Sequence, residues 1–211
     1  MHTMATETEL KLQLNPTDLP LLLAHPLLAA AAPAERLWNT YFDTPDLALK
    51  TRRMAVRERL AGAVWLLTVK TAGSSADGVS RRREWEGPTT PGALDFAALV
   101  DDVPLAAELM ALRPALRALF CTDFARRRWV LAHAGAQVEV ALDEGTVSVP
   151  GSALSEPLLE LELELLSGPD AALLSLADAL RDCPGGALGL LPSDVSKAQR
   201  GMALWERSLA S

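Results

Sequence analysis

Strict alternation of charged and apolar residues constrains this chain more than any other feature of its sequence. The segment ETELKLQL, residues 7–14, carries Glu, Lys and Gln at its odd positions, and LELELEL, residues 159–165, repeats the pattern with Glu alone. This alternation predicts β-strands, because successive side chains of a strand point to opposite faces. Such a strand ordinarily has one buried face and one face in water. If the face were enclosed, its carboxylates would need cations between them.

The signs of the charges are sorted along the chain. Carboxylates gather near both ends, while Arg and Lys gather in the middle segments. A solvated outer face would explain any one strand, but one enclosed polar face would explain the recurrence and the sorting together. We therefore expect an α+β fold in which the sheet curls into a barrel, with charges inward and leucines outward. The segments 19–30, 97–119, 171–180 and 198–209 have helical spacing and are expected to cover the outside.

Boundaries of the predicted elements follow from periodicity and turn residues. About eight strands are expected, with helices over Asp170–Arg181 and Ser193–Ser208 and Ser193 as the cap of the last helix. The strand-like segments are residues 7–14, ERLWNTYFDTP, Met54–Leu60, VWLLTVKT, VSRRREWEGP, a hairpin pair around Gly135, and PLLELELELLSG.

Composition excludes several classes of protein. The formal net charge of −7 over 211 residues argues against a general nucleic-acid binder. Cys121 and Cys183 form neither a metal spacing nor a disulfide framework, so we expect reduced thiols and a cytoplasmic protein. The histidines His2, His25 and His133 are scattered, which argues against zinc. No signal peptide and no membrane span are expected.

The charged groups together predict a ligand. Arg and Lys side chains suit the oxygens of a compact polyanion. Clustered carboxylates suit a hard divalent cation, Mg²⁺ or Mn²⁺. A polyphosphate with a divalent metal would satisfy both sets. No Ser–His or Cys–His pairing is visible in the sequence, so a covalent intermediate has no support.

These motifs resemble a known family. The first, ETELK, matches the ExExK motif of the CYTH superfamily, the triphosphate tunnel metalloenzymes. The later blocks follow in family order, and their wording is most similar to the bacterial inorganic triphosphatases. They are YFDTPDLAL with MAVRER, LTVK, GVSRRREWE, TDFARRRW, ALDEG, ELELEL and SKAQRG.

The resemblance implies a closed eight-stranded antiparallel β-barrel, open as a tunnel, in one CYTH domain over residues 1–211. It also implies hydrolysis of inorganic triphosphate (tripolyphosphate) to diphosphate and phosphate with Mg²⁺ or Mn²⁺. The implied catalytic residues are Glu7, Glu9 and Lys11. The implied metal ligands are Glu7, Glu9, Asp143, Glu160 and Glu162. The implied substrate-binding residues are Lys11, Arg57, Arg59, Lys70, Arg82, Arg126 and Lys197. Further candidates in or near the tunnel are Glu84, Glu86, Arg128, Glu139, Glu164 and Arg200.

Other functions on the same scaffold stay open. The superfamily includes thiamine triphosphatases and class IV adenylyl cyclases, and a nucleoside triphosphatase or a non-catalytic polyphosphate-binding module would use the same charges. The tryptophans are scattered and form no evident aromatic clamp, which favours a substrate without an organic part. The expected partner is thus a small-molecule triphosphate, not nucleic acid or a membrane.

Two departures from the family pattern matter. Glu58 lies between Arg57 and Arg59, where an apolar residue is common, and by parity it is expected to face outward, harmless or paired with a surface base. Longer bacterial relatives carry an additional helical domain after this one. Because the sequence ends at Ser211, that domain is expected to be missing.

Overall fold

The computed structural model describes residues 5–29, 33–76 and 78–210. Its elements fall into strands, which form most of the ordered structure, and shorter helices. The strands are β1 Ala5–Gln13, β2 Glu35–Asp43, β3 Ala55–Ala61, β4 Val64–Lys70, β5 Ser74–Ala76, β6 Val79–Pro88, β7 Arg117–His133, β8 Ala136–Ser148, β9 Ser155–Ser167, β10 Asp182–Cys183, β11 Gly186–Ala187 and β12 Leu191–Pro192. The α-helices are α1 Leu19–Leu23, α2 Ala48–Thr51, α3 Phe96–Leu99, α4 Val103–Leu112, α5 Ala171–Arg181 and α6 Lys197–Ser208.

Eight strands close into an antiparallel barrel. The order around the barrel is β1–β9–β8–β7–β2–β3–β4–β6, and β6 pairs back with β1. The short strands β12 and β5 add to the edges of β1 and β6, and β10 pairs with β11 as a separate hairpin. The predicted closed eight-stranded barrel is therefore confirmed.

Strand register sets the charges of different strands against one another. On β1, Lys11 lies opposite Glu162 of β9, and Glu7 lies opposite Arg82 of β6. Because side chains alternate between faces and these pairs share the same parity, all of them point into the barrel. The alternating leucines of the same strands then point outward.

Two apolar cores lie on the outer side of the barrel. Leu10 and Leu12 of β1 pack with Leu161 and Leu163 of β9 beneath helix α5. A second core joins the outer faces of β3, β4 and β6, including the buried Trp85, with α3 and α4. This arrangement confirms that helices cover the leucine face. None of the helices in the described residues has the length and apolar character to cross a bilayer.

Some boundaries differ from the expected ones. The segment predicted as helical over 97–119 ends earlier, because β7 begins at Arg117. The proline-broken run 19–30 forms α1 and one 3-10 turn, Pro26–Leu28, while another 3-10 turn, Pro16–Asp18, precedes it. The last residue of the run, Ala30, lies outside the described residues. Ser193 does not cap the last helix. Ser196 does so through a capping box with Gln199, and α6 starts at Lys197.

Helix α6 differs from the other helices in its position. It packs on an apolar cluster that includes the inward-facing Phe120 and Phe124 of β7 and Leu158 of β9. At Gly201 the approach is so close that an added Cβ would overlap the ring of Phe120. Helix α6 therefore lies across one end of the barrel interior, whereas residues 198–209 were expected on the outer face.

Candidate active site

A cavity of about 570 Å³ runs through the charged interior of the barrel. Acidic and basic side chains line it in similar numbers, and no histidine is among its described lining residues. Its charged lining residues are Glu7, Glu9, Lys11, Arg57, Arg59, Lys70, Arg82, Glu84, Glu86, Arg126, Arg128, Glu139, Glu162, Glu164 and Lys197. The enclosed polar face that the alternation predicted is therefore present inside the barrel.

Three carboxylates from two neighbouring strands converge beside this cavity. One oxygen from each of Asp143, Glu160 and Glu162 lies within 4.8 Å of the others. Arg126 holds Asp143 with two hydrogen bonds of 2.7 and 2.6 Å and reaches Glu162 at 2.6 Å. Lys197 lies 2.7 Å from Asp143 and 3.0 Å from Glu162, and it is also paired with Glu160. These five residues form the carboxylate cluster.

Protonation in the carboxylate cluster is set by mutual pairing. Burial alone would raise the pKa of Glu162, but Lys197 and Arg126 outweigh it and hold the pKa well below its usual range. Burial alone would lower the pKa of Lys197, but the three carboxylates raise it above its usual range. Both groups are therefore charged at neutral pH.

The first strand contributes a second network. Glu7 accepts hydrogen bonds from Lys70 at 2.8 Å and from Arg82 at 2.8 Å. Arg82 also donates to Glu9 at 2.6 Å, and Lys11 pairs with Glu9 as well. Burial alone would raise the pKa of Glu7, but Lys70 and Arg82 hold it well below its usual range. Both carboxylates of the ETELK motif are thus fully engaged with bases.

A third network joins β2, β3, β4 and β6. Arg59 donates to Asn39 Oδ1 at 2.8 Å, and Arg57 lies 3.4 Å from Glu86, which also accepts from Thr68 at 2.7 Å. Burial would raise the pKa of Glu86, but the two arginines lower it to about 2. Burial, with the neighbouring Arg57, lowers the pKa of Arg59 to about 10, so this guanidinium is still charged at pH 7.

Glu164 has a different environment. In register it lies opposite Glu9 on one side and Glu139 on the other. Among the described residues no base lies within ion-pair distance of its carboxylate. Burial, and then the charges of Glu7, Glu139 and Glu84, raise the pKa of Glu164 to about 7, although Lys70 acts in the opposite direction.

The donor set of the carboxylate cluster fits a hard divalent cation. Three carboxylates from rigid strands offer only oxygen ligands, which Mg²⁺ and Mn²⁺ prefer. Of the five predicted metal ligands, Asp143, Glu160 and Glu162 converge in this way. Glu7 and Glu9 instead belong to the network of Lys70 and Arg82.

The remaining candidates differ in position. Glu84 lies 3.1 Å from Lys70 in the cavity wall, and Arg128 and Glu139 pair at 3.4 Å in the same wall, where Arg128 stays partly exposed. Arg200 does not line the cavity; it donates to the Pro157 carbonyl at 2.7 Å and lies 3.9 Å from Glu160 of the carboxylate cluster.

Glu58 faces outward as expected but is buried, and its described partner is not a base. Its carboxylate accepts the backbone N–H of Gly92 at 2.7 Å. The sequence interpretation also missed Asn39 and Tyr41, because it collected only charges. Both occupy inward positions of β2, and the same two-residue spacing would have found them.

A second cavity of about 530 Å³ adjoins the first. The two cavities share Lys11, Tyr41, Lys70 and Arg82. The rings of Tyr41 and Phe120 stack with centroids 4.7 Å apart, and both rings line the second cavity. Its wall is less charged than the wall of the first, with methionine and phenylalanine side chains beside a few bases. The pair of stacked rings was not predicted from the scattered tryptophans.

Comparison with known proteins gives consistent matches. The CYTH domain matches residues 5–202. An inorganic triphosphatase of Haemophilus influenzae is 31% identical over 216 residues, 96% of this chain and 56% of the relative, so the chain spans about half of that relative's length. HpAC1 of Hippeastrum, a candidate adenylyl cyclase with a dominant triphosphatase activity, aligns with a TM-score of 0.66 at 22% identity, covering 93% of this chain and 95% of its own. A candidate adenylate cyclase from Bacillus halodurans aligns at 0.62 with 18% identity, covering 93% and 97%. These two structures share the fold.

Proposed function

The chain belongs to the CYTH family, and from that premise we propose that it hydrolyses inorganic triphosphate to diphosphate and phosphate with a divalent metal ion. The similarity to an inorganic triphosphatase supports this substrate. The observation that carries the proposal is the composition of the barrel interior. Basic side chains surround a cavity of about 570 Å³, and a cluster of three carboxylates lies against it.

We propose that Asp143, Glu160 and Glu162 hold the metal. A divalent ion bound to phosphate oxygens would supply charge neutralisation and polarise the phosphorus centre. The assignment of Glu7 and Glu9 to the metal rests on the resemblance of the ETELK motif alone. In the structure their carboxylates are paired with bases, as those of the cluster are, but they lie outside the group of three carboxylates that converge.

The bases of the cavity supply the other half of the chemistry. Arg57, Arg59 and Lys70 lie on adjacent strands and would contact the oxygens of one end of a triphosphate. Arg82, Arg126 and Lys11 would contact the rest of the chain of phosphates. Fixed cations around the transferring group stabilise the charge that grows on its oxygens during in-line attack by water. Loss of one such contact typically costs about 3 kcal/mol of transition-state stabilisation.

A substrate panel tests the proposal directly. The full chain is incubated with tripolyphosphate, ATP or thiamine triphosphate, in Mg²⁺, in Mn²⁺ or in EDTA, and phosphate release is measured. We expect the fastest release from tripolyphosphate with metal and none in EDTA. Tight binding of tripolyphosphate without turnover under every condition would instead indicate a binding module.

Glu9→Gln tests the first strand. This isosteric change removes one carboxylate charge beside Arg82, so we expect metal-dependent phosphate release to be lost while the thermal unfolding midpoint shows a folded protein. The matched control is Glu144→Gln, which removes a carboxylate at an outward position of β8 and should keep turnover. Near wild-type turnover of Glu9→Gln would contradict a role for this residue in the reaction.

A second candidate function has one specific observation in its favour. The adjoining cavity, with Phe42, Met54 and Phe120 in its wall, has the size and mixed lining of a site for a small organic group. A nucleoside or thiamine triphosphate could place its phosphates in the first cavity and its organic part in the second. Faster turnover of ATP or thiamine triphosphate than of tripolyphosphate in the same panel would favour this function.

A further inference from the structure

Lys197 occupies the centre of the carboxylate cluster. Its ammonium lies 2.7 Å from Asp143 and 3.0 Å from Glu162 and is also paired with Glu160. The side chain is only 6% exposed. Thus the three carboxylates that fit a divalent ion are also the ones that surround this ammonium.

A metal ion and the ammonium cannot use the cluster in the same way. A Mg²⁺ ion lies about 2.0–2.1 Å from each oxygen that binds it. One oxygen from each carboxylate lies within 4.8 Å of the others. An ion bound by all three would therefore lie beside the ammonium or in the position that the ammonium occupies. A divalent ion and an ammonium group so close together in a buried site repel each other strongly. Arg126 adds a further positive charge at the same carboxylates, since it contacts the Asp143 oxygen that Lys197 also contacts and one oxygen of Glu162.

The backbone of Lys197 is held in place, so its side chain is the part that can move. Lys197 is the first residue of α6, which is fixed by the Ser196–Gln199 capping box and by the close contact of Gly201 with Phe120. The side chain of Lys197 also lines the cavity of about 570 Å³ in the barrel interior. A rotation of its flexible four-carbon stem would take the ammonium from the carboxylates into the space where phosphate oxygens would lie.

We propose that Lys197 is an internal competitor for the divalent ion and couples metal binding to triphosphate binding. This inference rests on the proposed function. Without substrate, the ammonium satisfies the carboxylates and keeps metal affinity low. With substrate, phosphate oxygens accept hydrogen bonds from the ammonium, and the three carboxylates become available to bind the metal. Each ligand then raises the affinity of the other, as linkage requires.

The first test measures Mn²⁺ affinity of the whole protein without any phosphate, by electron paramagnetic resonance of free Mn²⁺. Lys197→Met keeps most of the stem and removes the charge, and we expect it to bind Mn²⁺ at least about ten-fold more tightly than wild type, about 1.4 kcal/mol. Lys197→Arg should bind as weakly as wild type. Arg113→Met, which removes an exposed charge from a 3-10 turn, is the matched control. Equal or weaker binding by Lys197→Met, or equal tightening by Arg113→Met, would overturn the proposal.

A second test measures the response of the wild-type protein to its ligands, and variants serve only to assign the lysine signals. The chain has four lysines, Lys11, Lys50, Lys70 and Lys197, so the side-chain resonances of a lysine-labelled sample can be assigned by substitution. We expect the Lys197 ammonium signal to stay in place with a low concentration of Mg²⁺ alone. It should shift when Mg²⁺ is added with the imido analogue of tripolyphosphate. A signal unmoved by the two together would refute the competition.

The two proposals fail in different ways. Mn²⁺ affinity is measured without substrate, so a tighter Lys197→Met protein would support the competition even if tripolyphosphate were not hydrolysed. Intact turnover of tripolyphosphate with equal Mn²⁺ affinities would leave the proposed function and remove the competition alone.

Discussion

Replacing Glu164 by Gln should stabilise the metal-free protein, with a gain that grows as pH rises from 4.5 and is largest above about 7. Glu164 shares the barrel interior with Glu7, Glu84 and Glu139 and has no base at ion-pair distance among the described residues. Burial and these neighbours raise its pKa from 4.5 to about 7. Since the folded state binds this proton more tightly than the unfolded state, its contribution to stability is fully present below pH 4.5 and is lost as pH rises through 7.

The size of the effect follows from the shift. Each pKa unit corresponds to about 1.4 kcal/mol, so the shift to about 7 sets an upper limit of roughly 3 kcal/mol. The Glu164 side chain is partly exposed, and solvent screening reduces this to about 1–2 kcal/mol. In a chain of this length that corresponds to an increase of roughly 3–6 °C in the unfolding midpoint of Glu164→Gln at pH 8. At pH 5 the two proteins should nearly coincide.

The assay is thermal unfolding in EDTA at intervals from pH 5 to pH 8, since a bound cation would mask the repulsion. Glu84 also has a raised pKa and titrates in both proteins, so the pH dependence is taken from the difference between the two sets of unfolding curves. Glu144→Gln, at an outward position, should show no such pH dependence. A difference between wild type and Glu164→Gln that does not change with pH, or a less stable variant at pH 8, would refute this account of Glu164.

Two further changes test how the interior is held together. Arg126→Met removes the bidentate partner of Asp143, whose side chain is 0% exposed and then keeps Lys197 as its cation. Because one of two buried cationic partners is lost, the free energy of unfolding should fall by up to about 3 kcal/mol in urea denaturation, and a loss below about 1 kcal/mol would contradict the role of the pair. Gly201→Ala would ordinarily favour a helix by up to about 1 kcal/mol, but its Cβ would overlap Phe120, so we expect a lower unfolding midpoint, and a higher one would show that the contact is loose.

The barrel and most of its lining could be predicted because alternation is a local property. On a strand, one inward side chain fixes the direction of every second neighbour, so the parity of Glu7, Arg57 and Arg126 in their own segments was enough to place them in the interior. The closure of the sheet then brings those segments together regardless of the distance between them in sequence.

The grouping of charges inside the barrel was beyond the sequence, because it depends on pairing between distant strands. The register sets Asp143 against both Arg126 and Glu160, which gathers three carboxylates near Lys197. The register of β1 with β6 places Glu7 opposite Arg82. Nothing local distinguishes these carboxylates. The position of α6 was missed for the same reason, since an amphipathic helix packs equally well by pattern on an outer face or across an open end.

The paired charges also explain why a site for an anion contains so many carboxylates. In the ligand-free protein each buried base of the three networks needs a partner, and the glutamates provide it. A triphosphate alone would bind the basic side chains in place of the carboxylates, which would then be left unpaired in the interior. A divalent ion alone would enter among bases that already neutralise its ligands. Under the proposed function, the two together replace the broken pairs of the carboxylate cluster, because phosphate oxygens pair with its bases and the metal binds Asp143, Glu160 and Glu162. A tunnel lined by bases alone would bind triphosphate without metal.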